Sequence, residues 1–196
     1  MKKYLLFLLL AVAPLSAAME SIIDFDLACD GRSWKVGFEE DRQDEKLIEW
    51  VNPGETRNNF TRMVTVQYLP QHNRNPEQFF CGVMDYLKEQ NPGCNFYYKV
   101  HHRDGCSIFG EWAVHDGTVH DQFEWVRVFC DGVHGTAILH YSTKELSEVD
   151  KLRPQWCRIM MSARMKNMTP TVVPCDPPPL QEKQITGRSK RKRSFR

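Results

Sequence analysis

Residues 94–141 read CNFYYKVHHRDGCSIFGEWAVHDGTVHDQFEWVRVFCDGVHGTAILHY. Runs rich in aromatic and β-branched residues alternate with Arg103-Asp104-Gly105, Asp116 to Val119, and Asp131-Gly132, the pattern of strands joined by tight turns. The stretch predicts a four-stranded antiparallel meander. Its turns also predict the register, because a slip of one residue exchanges the two faces of a strand. A three-residue loop at 103–105, a hairpin centred on Thr118 and a two-residue turn at Asp131-Gly132 place Cys94, Phe96, Tyr98, Val100, Ile108, Trp112, Val114, Val126, Val128, Val133, Ala137 and Leu139 on one face. That apolar face is a core. The opposite face collects Tyr97, Lys99, Phe109, His115, Phe123, Phe129, His134 and Ile138, together with His101, Glu111, Trp125, Arg127 and His140. Such a surface is either covered by a second layer of the chain or forms a ligand groove. The last five residues are its candidate ligand-binding set.

Upstream, Trp34–Glu40, Lys46–Val51 and Met63–Leu69 read as short strands, with Asn52-Pro53-Gly54 the sharpest turn between them. A helix follows: Asn75 is an N-cap, Pro76 suits the first helical position, and Phe79, Phe80, Val83, Met84 and Leu87 recur at helical spacing up to Asn91-Pro92-Gly93. Downstream, Ser147 caps a second helix over 148–166. Its stripe is Val149, Leu152, Trp156, Ile159, Met160 and Ala163, with Pro154 inside it either kinking the helix or marking its true start.

Seven cysteines, Cys29, Cys81, Cys94, Cys106, Cys130, Cys157 and Cys175, show no CxxC, CxxH or HExxH spacing, so zinc and thioredoxin-like chemistry lack sequence support. His115 and His120 flank one turn, but no third ligand accompanies them, and no metal site is assigned. Cys130 and His134 fall on opposite faces of the meander, as do Glu111 and Glu124, which argues against a thiol nucleophile with its base and against a paired-carboxylate hydrolase. No catalytic residue and no cofactor are assigned. The hairpin centred on Thr118 opposes Cys106 and Cys130. At a non-hydrogen-bonded position their Cα atoms stand ~4.5 Å apart, which predicts a disulfide in an oxidising compartment.

The segment VNPGETRNNFTRMVTVQ, with Gly54, Glu55, Asn59, Phe60, Thr61, Thr65 and Gln67, resembles a motif of uncharacterised exported bacterial proteins, in which a tryptophan often stands at the place of Phe60. The order of strands, helix, meander and terminal helix resembles the Mog1/PsbP-like α/β/α sandwich. That resemblance implies an α+β fold with two main helices and a non-enzymatic accessory or binding role; it transfers no ligand and no catalytic residue. From the residues themselves, Asn52-Pro53-Gly54 makes a turn that Glu55 can hold, while Asn59 and Thr61 can satisfy loop amides.

The ends of the chain speak to location. In MKKYLLFLLLAVAPLSAA, residues 1–18, two lysines precede an apolar run and small residues at cleavage positions, the order of a secretory signal peptide. The mature chain then starts near Met19 and forms one α+β domain over 19–168. Residues 169–196 are Pro-rich and basic, and predict a disordered tail. Without Lys2, Lys3 and the tail residues Arg188, Lys190, Arg191, Lys192, Arg193 and Arg196, the chain keeps 18 Lys and Arg against 25 Asp and Glu. The body is acidic and the tail basic, so the tail can hold an anionic surface by counterion release. No later run is long and apolar enough to span a membrane. These features together predict an exported, periplasmic or secreted binding protein whose partner is another protein or an envelope component. The alternatives are a small hydrolase or metal-dependent enzyme using the mixed sheet face, and an envelope-associated structural protein tethered by its tail.

Overall fold

The computed structural model describes residues 22–73, 75–116, 121–130 and 132–166. The expected signal peptide and basic tail lie outside them. Strands β1 (Ile23–Asp24), β2 (Lys35–Asp41), β3 (Lys46–Val51) and β4 (Arg62–Leu69) precede helix α1 (Pro76–Gln90). Strands β5 (Asn95–Arg103), β6 (Ser107–His115), β7 (Gln122–Cys130) and β8 (Thr136–Thr143) follow, then helix α2 (Val149–Ser162) and β9 (Arg164–Met165). The expected meander is one half of a larger sheet. Its last strand pairs with β4, giving a seven-stranded antiparallel sheet in the order β2-β3-β4-β8-β7-β6-β5. The short β1 and β9 pair with each other.

The two helices pack on opposite faces of the sheet. Helix α1 buries Phe80 and Met84 against Ile108, Trp112, Val114, Val126, Val128 and Ile138. Helix α2 buries Leu152, Trp156, Ile159 and Met160 against Phe109, Phe123, Trp125, Leu139 and Tyr141. The local signals of α1 hold: the Asn75 side chain accepts from the amides of Glu77 and Gln78, and Asn91 Nδ2 donates to the Leu87 carbonyl oxygen at 2.7 Å. Its close approach depends on Gly110, where a Cβ would stand 2.7 Å from the Phe80 ring and 2.8 Å from the Lys99 carbonyl oxygen.

The register of β6 and β7 is the expected one: Ile108 faces Val128 and Trp112 faces Glu124. The first hairpin pairs Asn95 with His115 and Val100 with Gly110, two residues off the expected register, so its faces are unchanged there; a bulge between Val100 and His102 then shifts the register so that Arg103 pairs with Ile108, and the connection is the four residues 104–107 and not the expected three-residue loop 103–105. Asp104 closes this turn by accepting from the amides of Cys106 and Ser107. The last hairpin overturns its expectation. Cys130 pairs with Thr136, so the connection runs from 131 to 135 and is not the two-residue turn Asp131-Gly132. The odd shift moves Ala137, Leu139 and Tyr141 to the α2 side, and Ile138 and His140 to the α1 side. Partner strand β4 requires this, because Val64 and Val66 face Tyr141 and Leu139 across the pair. Gly135 permits the turn, combining φ +91° with a position 2.5 Å from the Leu69 carbonyl oxygen that a Cβ would occupy.

Three further expectations are corrected. Ser147 does not cap α2: a 3-10 turn over Leu146–Glu148 leads into the helix, and Pro154 lies within it. The helix stops at Ser162 rather than Lys166, because Ala163 turns extended (ψ 145°) and starts β9. No disulfide joins any of the described cysteines, so the Cys106–Cys130 bridge is absent. The two residues do oppose each other, but the Cys130 amide donates to the Cys106 carbonyl oxygen at 2.8 Å. The pair therefore occupies a hydrogen-bonded position, where side chains stand farther apart than at the non-hydrogen-bonded position assumed.

Candidate functional site

On the α2 side, the expected mixed surface is a buried layer. Glu111 is almost fully buried in mid-strand β6. It takes hydrogen bonds from Trp125 Nε1 (3.2 Å) and Arg153 of α2, and pairs with His101 Nε2 at 2.8 Å. Burial pushes the Glu111 carboxyl up, but the hydrogen bonds and charges of His101 and Arg153 outweigh it and hold the group below its ordinary value. His101, Glu111 and Trp125 thus come together as expected, with Arg153 as the member the strand pattern could not supply. The cluster pins α2 to the sheet. Arg127 stands apart from it, donating to the Met160 and Met161 carbonyl oxygens at the end of α2 and to Ser107 Oγ at 3.1 Å. It satisfies helix-end carbonyls. His140, carried over by the flip of β8, lies on the other face.

That other face holds the candidate site, and helix width creates it. A helix with its side chains is ~10 Å across while strands lie ~4.8 Å apart, so α1 shields two or three strands of seven. It packs on β5, β6 and β7, and beside it β8, β4 and β3 floor a groove of about 610 Å³. One wall is apolar, made by Phe79, Phe80, Val83, Met84 and Leu87 of α1. The floor is polar. Across the strands run Glu49, Thr65 and His140 in one rank, and Met63, Ser142, Glu124 and Trp112 in the next.

Both Glu124 oxygens are engaged. Oε2 accepts from Trp112 Nε1 at 3.1 Å and meets His140 Nδ1 at 3.2 Å; Oε1 accepts from Ser142 Oγ and Gln122 Nε2, each at 2.7 Å. His140 is held by that contact with its other ring nitrogen unused by Glu124. Glu49, nearly buried, is paired with Arg57 (Nε to Oε2, 3.2 Å). Burial pushes its carboxyl above the ordinary value against the opposing charges of Arg57 and His140.

Sequence reasoning found one of these groove residues as a candidate, His140, and on the wrong face. It missed Glu49, Thr65, Glu124 and Ser142. A signal did exist for Glu124, a carboxylate at core-facing parity in QFEWVRV, which a buried strand carries only when something pairs with it.

The motif around Gly54 connects β3 to β4, and Glu55 and Asn59 have the structural role read from them, while the Thr61 hydroxyl serves Glu55 and the Asn52 side chain and takes no loop amide. Glu55 accepts from Asn52 Nδ2 (3.1 Å), the Thr61 amide (3.1 Å) and Thr61 Oγ1 (2.6 Å), and Asn59 Oδ1 takes the Thr56 amide and hydroxyl. Burial acts to raise the Glu55 carboxyl, but these donors hold it below its ordinary value. The same motif delivers Thr65 and Gln67 to the groove floor and Arg57 to Glu49. Among the described residues no three His, Cys, Asp or Glu side chains converge as a metal site, and no helix is long and apolar enough to cross a membrane. Compared with models of known families and with curated proteins, the chain matches none.

Proposed function

We propose that this chain is an exported accessory protein that binds an amphipathic ligand in the groove beside α1 and does not turn it over. The reading includes a Mog1/PsbP-like α/β/α sandwich as its frame, and an unidentified protein or envelope component as its partner. The observation that carries it is the pairing of an apolar helix wall with a polar floor whose central carboxylate, Glu124, already accepts from Trp112, Gln122 and Ser142 and contacts His140. A catalytic base must keep a lone pair for its substrate; a carboxylate committed to four neighbours instead shapes a surface. The groove's size suits a small molecule or a few residues of an extended peptide.

Native mass spectrometry of protein recovered from the exported fraction tests this. The wild-type chain retains a bound species, and Gln67→Trp, which fills the floor from a half-buried position, loses it. Turnover of ester, peptide or glycoside reporters that His140→Ala abolishes would replace this reading with the hydrolase one, since His140 held by Glu124 is the arrangement a general base would use.

Export rests on residues 1–18, and the basic tail is proposed to add affinity for anionic surfaces. The mass of the mature exported chain corresponds to an N-terminus within a few residues of Met19. Met1 retained on exported protein would overturn that assignment.

A further inference from the structure

The charges and hydrogen-bonding groups of the groove beside α1 narrow its ligand to one chemical class. Among the described residues that line it, the ionisable side chains are Glu49, Glu124 and His140, with neither lysine nor arginine beside them. Arg57 reaches Glu49 from the loop between β3 and β4 and sets one positive charge against that carboxylate. Glu124 has no such counterion. Trp112, Gln122 and Ser142 donate to it as neutral groups, and His140 is the one neighbour able to carry charge. With His140 neutral, the groove therefore keeps one carboxylate charge unbalanced beside an apolar wall.

The donors of the lining are largely spent. Trp112 Nε1, Ser142 Oγ and Gln122 Nε2 give theirs to Glu124, Gln67 Nε2 donates to Glu45, and Asn91 Nδ2 donates to the Leu87 carbonyl oxygen. Each partner is a carboxylate or carbonyl oxygen, which can only accept, so the amide orientations are fixed. Acceptors remain. The Glu49 side chain, 7% exposed, meets only Arg57, with Nη2 3.4 Å from one oxygen and Nε 3.2 Å from the other, the second contact lacking hydrogen-bond alignment. A carboxylate has about four lone-pair sites, so Glu49 has room for another donor. His140 Nδ1 meets an acceptor, so in the neutral ring Nδ1 carries the proton and Nε2 is left to accept. Glu49, Thr65 and His140 are cross-strand neighbours on β3, β4 and β8. Strands ~4.8 Å apart set Glu49 and His140 ~10 Å from each other at the backbone, with the shorter Thr65 between them. A donor resting over Thr65 is flanked by both.

We propose that the groove binds a small primary amine with an apolar body, its ammonium over Thr65 between Glu49 and His140 and its body along Phe79, Val83 and Leu87 of α1. This rests on the groove reading above and names its ligand class. An ammonium brings three donors and one positive charge and no acceptor, which is the complement of a lining with spare acceptors and excess negative charge. Glu124, filled by its four neighbours, acts on the ligand through its charge alone. Burial works against the Glu49 carboxylate and Arg57 offsets this only in part, so a second cation beside it is favourable. A groove of about 610 Å³ lies within the range of small-molecule sites.

The test titrates the full-length chain at pH 7.5 and constant ionic strength with n-octylamine, n-octanol and sodium octanoate, which share an apolar chain and differ in head group. The readout is the indole N–H resonance of Trp112, a groove residue, assigned with Trp112→Phe. Octylamine saturates the shift at a concentration about tenfold below octanol, and octanoate binds more weakly than octanol. Glu49→Gln keeps the size of the side chain and removes its charge. It weakens octylamine about tenfold and leaves octanol unchanged, whereas a merely structural Glu49 would alter both alike or neither. The head-group order on the wild-type chain decides the matter even where that variant folds poorly. Octanol or octanoate binding as tightly as octylamine, or Glu49→Gln binding octylamine like wild type, overturns the amine proposal and leaves the groove reading standing. A Trp112 signal that saturates with none of the three probes overturns both.

Discussion

Truncating Trp156 to alanine lowers the free energy of unfolding by about 3–5 kcal/mol, the range for large aromatic side chains removed from a packed core. Trp156 is the residue through which α2 is seated. It is fully buried, stacked on Tyr141 and met edge-on by Trp34 at 6.5 Å. The cavity cannot collapse easily, since its lining comes from β8, from the Trp34 segment and from α2 itself, each held by independent pairing. Urea denaturation followed by far-UV circular dichroism reads the loss as a lower midpoint with an unchanged slope. The control is Tyr86 on α1, 60% exposed, whose alanine variant stays within ~0.5 kcal/mol of wild type. Similar losses for the two variants would mean that α2 does not close over the sheet as described.

The second large effect is at Glu111. Alanine there leaves the indole of Trp125 and the charged group of Arg153 without their shared acceptor, and removing one partner of a buried ion pair costs about 3–5 kcal/mol. The lower end applies, because the Arg153 and His101 side chains are 32% and 22% exposed and water recovers part of their solvation. The pH dependence has a definite sign. The folded-state carboxyl of Glu111 titrates below its ordinary value, so the native state releases this proton more readily than the unfolded chain. Its stabilisation is complete above the unfolded value of ~4.3 and is lost as pH falls through the lower folded value. Glu111→Gln, which keeps the size and one acceptor, is therefore less stable than wild type at pH 7, and the gap narrows steadily below about pH 4.5. A gap constant from pH 7 to pH 3 would show that Glu111 acts through packing alone.

These two residues also show where sequence reading reached and where it stopped. Glu111 and Trp125 were legible as neighbours because alternation in adjacent strands and the turn centred on Thr118 put them opposite each other, and they pair so. Arg153 was not, because which helix covers a sheet face is settled by packing between segments far apart in the chain. The same limit explains Glu124: its parity marked it as an oddity in a core strand, but Ser142 and His140 reach it only after β8 takes its true register. An error of one odd step in one turn moved a candidate ligand to the opposite side of the molecule.

By itself the sequence determined what depends on neighbours along the chain. The limits of α1 follow from Asn75, Pro76 and Asn91, the extents of β2, β3 and β4 from short apolar runs between polar turns, and the β6–β7 register from one hairpin. The loop held by Glu55 follows from side chains that bond to their own backbone surroundings. Tertiary structure alone decided the rest: that β4 pairs with β8 and so joins two local units into one sheet, that the turn before β8 runs over 131–135, and that α2 ends where β9 finds β1. The groove belongs to this second group. It exists because a single helix is too narrow to cover seven strands, so half of one face keeps its polar side chains in reach of a ligand, and no periodicity in the chain announces which half that will be.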